Sequence, residues 1–252
     1  MALRETLPVK RIITGTLLLM CLAGSGPLSA EGVRLVTGSV GGTSDFVYRG
    51  LSLTRGKPAV QASLDVEFPH EFYVGGFIAN VDPNPGPSPR AEFDLWAGRY
   101  WRLANDFSVD LRLSQYTYPD DPRRVNYNRS EVTGTLGFRN RLFVAAIYSP
   151  NTQAVGSAPG YKNDGAWALE LSANHAFNDR YSLNVGLGHY GLDGVYGGNY
   201  RYWNATLAAN FSPFELQLAW LGTDSGAEPL FPDSTAGQRV AITALWRFSS
   251  AR

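Results

Sequence analysis

The alternation of apolar and polar residues is clearest from Phe107 to Tyr118. Phe107, Val109, Leu111 and Leu113 fall on one phase; Ser108, Asp110, Arg112, Ser114, Tyr116 and Tyr118 fall on the other. Strand side chains point to opposite faces with period two, so this segment has one apolar side and one charged side. The same pattern sets Val60, Ala62, Leu64, Val66 and Phe68 against Gln61, Ser63, Asp65 and Glu67. Trp203 to Phe211, Phe214 to Trp220 and Val240 to Phe248 repeat it. The alternation predicts twelve strands, at 33–50, 58–68, 72–81, 91–103, 107–118, 129–139, 142–149, 165–177, 181–190, 200–211, 214–222 and 239–248.

The connections alternate too. Long ones (82–90, 119–128, 150–163, 223–238) follow the odd-numbered strands, and turns of a few residues follow the even-numbered ones. Aromatic residues bracket the short turns: Phe68 and Phe72, Trp101 and Phe107, Phe138 and Phe143, Phe177 and Tyr181, Phe211 and Phe214. An aromatic ring buries its body in hydrocarbon yet tolerates the wet headgroup layer. Short turns on one side, long loops on the other and aromatic girdles describe an all-β, antiparallel up-and-down transmembrane β-barrel. A soluble β-sandwich would explain the alternation alone. It would not explain the girdle or the connection lengths.

Two places resist the pattern. Strand 33–50 has no clean phase, and Gly41-Gly42 is read as a kink or bulge within it. In strand 91–103, Arg99 shares the phase of Phe93, Leu95 and Ala97, where a charge would meet lipid; a bulge near Gly98 would turn it inward.

Residues 1–30 read as a cleavable signal peptide, with Arg4, Lys10 and Arg11 ahead of an apolar run from Ile12 to Ala23 and a cleavage site at Leu28-Ser29-Ala30. Met20 before Cys21 argues against a lipoprotein signal. Residues 31–252 then form one barrel domain without cysteine, so disulfides and thiolate-bound metal are not expected. Removing the leader lowers Lys plus Arg from 22 to 19 and Asp plus Glu from 22 to 21, a net charge of −2 with no basic field for nucleic acid. Only Lys57 and Lys162 accompany the arginines of the barrel domain. Arginine keeps its charge and makes planar, forked contacts with carboxylates, which suits fixed ion pairs in a confined space.

No site for catalysis, cofactor or metal assembles from the sequence. Gly186 to Gly191 matches GxGxxG but lies at a strand end with no helix to follow. His70, His175 and His189 lack the spacing to converge on a metal. A lipid-modifying barrel enzyme would pair a serine such as Ser114 with His189, but Ser114 falls on the inward phase. The Asn-x-Ser/Thr triplets at Asn128, Asn204 and Asn210 read as chance matches.

The inward-phase charges are the stronger candidates: Asp65, Glu67, Glu92, Asp94, Asp110, Arg112, Glu131, Glu170, Glu215, Arg239 and Arg247. A twelve-stranded barrel is wider than the eight-stranded kind that side chains fill, so its lumen should hold water. Charges there bind or repel passing solutes; alternatively, they pair with one another and stabilise a plugged interior. Tyr116 and Tyr118 complete the face of Asp110 and Arg112.

Thr43-Ser44-Asp45-Phe46-Val47-Tyr48-Arg49-Gly50-Leu51-Ser52-Leu53-Thr54, followed by Lys57-Pro58-Ala59-Val60-Gln61, resembles the opening motif of the TorF-type porin family of proteobacterial outer-membrane proteins. Phe72-Tyr73-Val74-Gly75, Asn80-Val81-Asp82, Glu92 to Gly98, Tyr116-Thr117-Tyr118-Pro119 and Asn126-Tyr127 with Glu131 continue the likeness in order, over about residues 37–135. The resemblance implies an exported outer-membrane barrel and no particular substrate. Such barrels commonly end on an aromatic residue read by the assembly machinery; here Phe248 closes the last strand and Ser249 to Arg252 follow.

The expectation is therefore a Gram-negative outer-membrane porin-like channel for passive diffusion of small hydrophilic solutes or ions. Its partners would be outer-membrane lipids, lipopolysaccharide and the barrel-assembly machinery. Expected pore-lining residues are Asp65, Glu67, Asp94, Asp110, Arg112, Tyr116, Tyr118, Glu131, Glu170 and Arg239, with loops 150–163 and 223–238 folding in. The alternative is a closed barrel with a structural or adhesive role through its external loops.

Overall fold

The computed structural model describes residues 11–15, 18–22, 32–119, 121, 127–152, 164–231 and 235–250. Twelve antiparallel strands close into one barrel: β1 (Leu35–Thr43), β2 (Ala59–Glu67), β3 (Phe72–Asn80), β4 (Ala91–Arg102), β5 (Phe107–Thr117), β6 (Arg129–Phe138), β7 (Leu142–Thr152), β8 (Asp164–Ala176), β9 (Tyr181–Leu192), β10 (Gly198–Phe211), β11 (Phe214–Thr223) and β12 (Arg239–Ser249). Each strand pairs with its neighbours in sequence. Closure comes from β12 on β1, where Thr243 lies opposite Thr43 and Ser249 opposite Thr37. Outside the barrel, Arg11–Gly15 pairs with Leu18–Leu22 within the segment read as a leader. Among the described residues no helix is long and apolar enough to cross a membrane; the crossing belongs to the strands.

The apolar phases face outward. Val60, Leu95, Leu113, Leu171, Leu187, Leu218 and Ile242 are all exposed, one strand after another. A closed sheet with this exterior has hydrocarbon, not water, as its solvent. The girdle forms at the short-turn end, where Phe107 packs on Phe138 at 4.9 Å and Trp246 on Phe248 at 5.4 Å. Phe143 is the exception: it is buried on the inward phase of β7, and Leu142 takes the outward position beside the turn. Towards the long-loop end, Trp167 packs on His189 and Trp203 on Trp220.

The expected bulge at Gly98 is absent. Pairing of β3 with β4 runs without a shift from Asn80↔Ala91 to Phe72↔Arg99. Arg99 therefore stays outward, near the short-turn end. Its guanidinium lies over the rings of Phe72 and Trp101 at 4.8 and 5.0 Å, and Nε donates to the His70 carbonyl at 3.2 Å. A charge at headgroup depth needs no inward turn, because its stem covers aromatic surface while its head stays wet.

The larger departure is in the first strand, which ends at Thr43 and not at residue 50. Residues 44–58 leave the wall and fold into the lumen as a small hairpin, Val47–Tyr48 against Leu51–Ser52. Its two-residue turn is Arg49-Gly50, with φ of 47° and 78°. Positive φ at both central positions gives the tight turn whose twist suits a β-hairpin. Arg49 is thus placed at the tip.

Candidate functional site

The hairpin is held at its base, its flank and its tip. At the base, the buried Asp45 carboxylate accepts from Ser52 Oγ at 2.5 Å, Thr54 Oγ1 at 2.9 Å and Arg239 at 3.1 Å. Phe46 packs on Phe77 of β3 at 5.5 Å. On the flank, Ser52 N donates to the Thr235 carbonyl and Asp82 N to the Leu53 carbonyl, tying the hairpin to loops 224–238 and 81–90. Lys57 Nζ and Arg55 donate to Asp82 at 2.8 and 2.5 Å. Burial pushes the Asp82 carboxyl up, but those two cations outweigh it and hold its pKa below the ordinary value.

At the tip, Arg49 reaches the opposite wall. Its Nη1 and Nη2 donate to the two carboxylate oxygens of Glu131 on β6 at 3.0 and 3.1 Å, and Nε lies 3.6 Å from Glu170 on β8. Tyr48 OH donates to the same Glu131 at 2.9 Å, and Tyr200 OH donates to the Arg49 carbonyl at 3.1 Å. The guanidinium sits over Tyr48 and Tyr190 at 4.7 and 4.6 Å. Arg129 joins from the wall, 3.3 Å from Glu131 and 3.9 Å over the Tyr116 ring. A forked, buried guanidinium in contact with two aromatic rings is a fixed contact, not a mobile surface charge.

The residues expected to line a pore are mostly drawn into this network. Glu131, Tyr116 and Glu170 touch Arg49 or Arg129 directly, and Tyr202 OH donates to Glu170 at 2.5 Å. Tyr118 OH donates to Glu92 at 2.6 Å, with Asp94 buried beside them on β4. Arg239 braces Asp45 and also donates to the carbonyls of Thr235 and Ala236 at 2.6 and 2.8 Å. Nearer the short turns, Asp65 accepts from Trp96 Nε1 at 3.0 Å, and Asp110 accepts from Tyr73 OH at 2.9 Å beside Arg112. Glu67 lies opposite Tyr73, and Arg247 donates to Glu215 at 2.7 Å. The outer half of the lumen is a paired-charge network, the arrangement that the mixed signs on neighbouring strands had left open beside free luminal charges.

Of the two loops expected to fold in, 224–238 contributes Thr235 and Phe231, the latter against Tyr200 at 5.8 Å. Most of 150–163 lies outside the described residues. The segment that enters deepest, 44–58, was missed. Its only signal in the sequence was the broken phase of the first strand.

Below the hairpin an empty space of about 1040 Å³ remains, counted with the solvent it opens to. Inward side chains of β1, β2 and β8 to β12 border it, among them Ser39, Gln61, Ser63, Asn184, Asn204, Thr206, Gln217 and Thr243. The serine–histidine pairing does not form: Ser114 is buried on the inward face of β5, and His189 packs on Trp167 at the outward face of β9.

Compared with known proteins, residues 28–249 match a family described as "Bacterial protein of unknown function (Gcw_chp)". No curated protein matches the sequence. Among solved structures, the barrel resembles the KdgM porin in complex with disordered oligogalacturonate, with TM-score 0.52 and 10% identity over 85% of this chain and 99% of that one. It also resembles the NanC porin, with TM-score 0.54 and 8% identity over 86% of this chain and 99% of that one. At such identities the likeness is one of fold.

Proposed function

We propose that this chain, which belongs to the Gcw_chp family of bacterial proteins of unknown function, is an outer-membrane channel for passive diffusion of small hydrophilic solutes. The observation that carries the reading is the unfilled space, bordered in part by hydroxyls and amides, inside a barrel whose outside is apolar on every strand. A barrel needed only as a membrane anchor gains nothing from hydroxyls and amides around unfilled volume, since close packing stabilises an interior. The porin folds it resembles and the TorF-type likeness of residues 37–135 support the same class.

On this reading, hairpin 44–58 and the charges around Arg49 constrict the outer half, and the neutral space below is the inner vestibule. Asp94, Tyr116, Tyr118, Glu131, Glu170 and Arg239 form or brace the narrow wall, and Asp65, Glu67, Asp110 and Arg112 line the lumen nearer the short turns. Residues 1–30 serve as the export leader, and the apolar exterior meets outer-membrane lipid and lipopolysaccharide after insertion by the barrel-assembly machinery.

A second reading is a closed barrel that acts through its external loops. It is favoured by one observation: Arg49–Glu131 and Asp45–Arg239 bind the hairpin to different walls of the lumen at once. Reconstitution of the mature protein in a planar bilayer separates the two. Discrete, reproducible conductance steps are expected from the channel; an inserted barrel without steps would overturn it in favour of the second reading.

A further inference from the structure

Charge is sparse around one part of this lumen, the space beneath the hairpin. Arg49, Arg129, Glu131, Glu92 and Asp94 lie in the outer half, and Asp65, Asp110, Arg112, Glu215 and Arg247 nearer the short turns; among the described residues no lysine or arginine borders the space beneath the hairpin. Its two bordering carboxylates are already committed, Asp45 to Ser52, Thr54 and Arg239, and Glu170 to Tyr202 and Arg49. The remaining polar wall is neutral: Gln61 and Ser63 on one side, Asn184, Asn204, Thr206 and Gln217 on the other. Some of these groups satisfy one another, as where Asn204 Nδ2 donates to Asn184 Oδ1 at 2.9 Å. Gln61 and Thr206 carry no side-chain hydrogen bond to another of the described residues. Phe46, Phe77 and Tyr202 add aromatic surface at the upper edge.

Amides and hydroxyls both donate and accept, so such a wall can replace the water around a solute made of hydroxyl groups. An ion entering the same space sheds water and meets no uncommitted opposite charge. Resting on the channel reading above, we infer that the solute this chamber admits is a small, neutral, hydroxyl-rich molecule of the sugar or polyol class, with Gln61 and Thr206 among the residues that select it.

Liposomes carrying the intact mature protein would be tested for entry of glucose, gluconate and glucosamine, which share a carbon skeleton length and differ in charge. Glucose is expected to enter at least about tenfold faster than either ion, a modest share of the cost of stripping a charge of water. Gluconate or glucosamine entering as fast as glucose would overturn the inference while leaving the channel intact. Entry of none of the three would overturn the channel reading itself. Thr206→Arg is expected to shift the gluconate-to-glucose ratio upward, and Gln61→Glu the glucosamine-to-glucose ratio. The two variants introduce opposite charges on different strands, so one remains informative if the other fails to insert. Unchanged ratios in an inserted variant would remove the chamber from the path.

Discussion

Arg49 and Glu131 join opposite walls of the barrel through two hydrogen bonds of 3.0 and 3.1 Å, although Arg49 stands on a hairpin rooted between β1 and β2 and Glu131 on β6. Both side chains are almost wholly buried, at 4% and 2% exposure. Removing one partner of such a pair costs about 3–5 kcal/mol, chiefly because the other charge is left behind. Arg49→Ala and Glu131→Gln are therefore expected to unseat the hairpin tip and raise single-channel conductance. Wild-type conductance in both variants would show that the hairpin does not constrict the path.

Gly50 tests the same seat without touching a charge. At φ 78°, a β-carbon there would lie 2.6 Å from the Gly222 carbonyl oxygen on β11. Gly56 has a similar φ of 71° but nothing within 4 Å of the same position. Gly56→Ala should cost only the left-handed strain of about 1–2 kcal/mol. Gly50→Ala adds a backbone collision and is expected to reproduce the conductance of Arg49→Ala. Equal behaviour of the two glycine variants would contradict the close approach of hairpin and wall.

Most of the architecture is legible in the alternation of the sequence. Period two separates Leu113 from Arg112 because lipid on one side and a polar lumen on the other impose opposite demands on successive residues. Hairpin 44–58 escapes that logic. Its Phe46 and Val47 pack on Phe77, Ala219 and Leu221, while Asp45 and Arg49 bind charges on the wall, so neither face is uniformly apolar. Arg99 is legible as outward in phase, and the inward turn expected for it at Gly98 does not occur, because alternation reports the face of a residue and not its depth. Phe143 failed for the complementary reason: closeness to a turn does not fix phase.

Depth can be tested directly. Leu113 is 57% exposed on the outer face of β5, away from both girdles. Leu113→Arg is expected to destabilise the barrel by about 2–4 kcal/mol in reversible urea unfolding from vesicles, the penalty for arginine at midplane. Arg99→Ala should cost only about 0.5–1 kcal/mol, the worth of an exposed cation–π contact. Comparable losses would place the two residues at one depth and refute the girdle assignment.

Asp110 and Arg112 bear on ion selectivity. They stand on the inward face of β5 with Tyr73 beside them, below the Arg49 network. Asp110→Asn and Arg112→Gln are expected to move the reversal potential under a salt gradient in opposite directions. No shift in either would remove β5 from the conducting wall.

Asp82 offers a pH-dependent readout of the hairpin flank. Its carboxyl is held below its ordinary value of about 3.9, so the clasp with Arg55 and Lys57 is complete above that value and is lost as pH falls through the lowered pKa. The contribution is small, about 0–1 kcal/mol for a partly exposed pair. A carboxyl-resolved NMR titration should give a midpoint below 3.9 that moves up in Lys57→Ala; a midpoint at or above it would mean the clasp is not formed.

Both ends of hairpin 44–58 continue directly into paired strands, Thr43 opposite Ala59. A segment tethered this way cannot diffuse from its seat, so its local concentration there stays near the millimolar range that short linkers provide. Whatever passes through the barrel competes with a built-in rival that never dilutes. The constriction is therefore set within each barrel and does not depend on protein copy number.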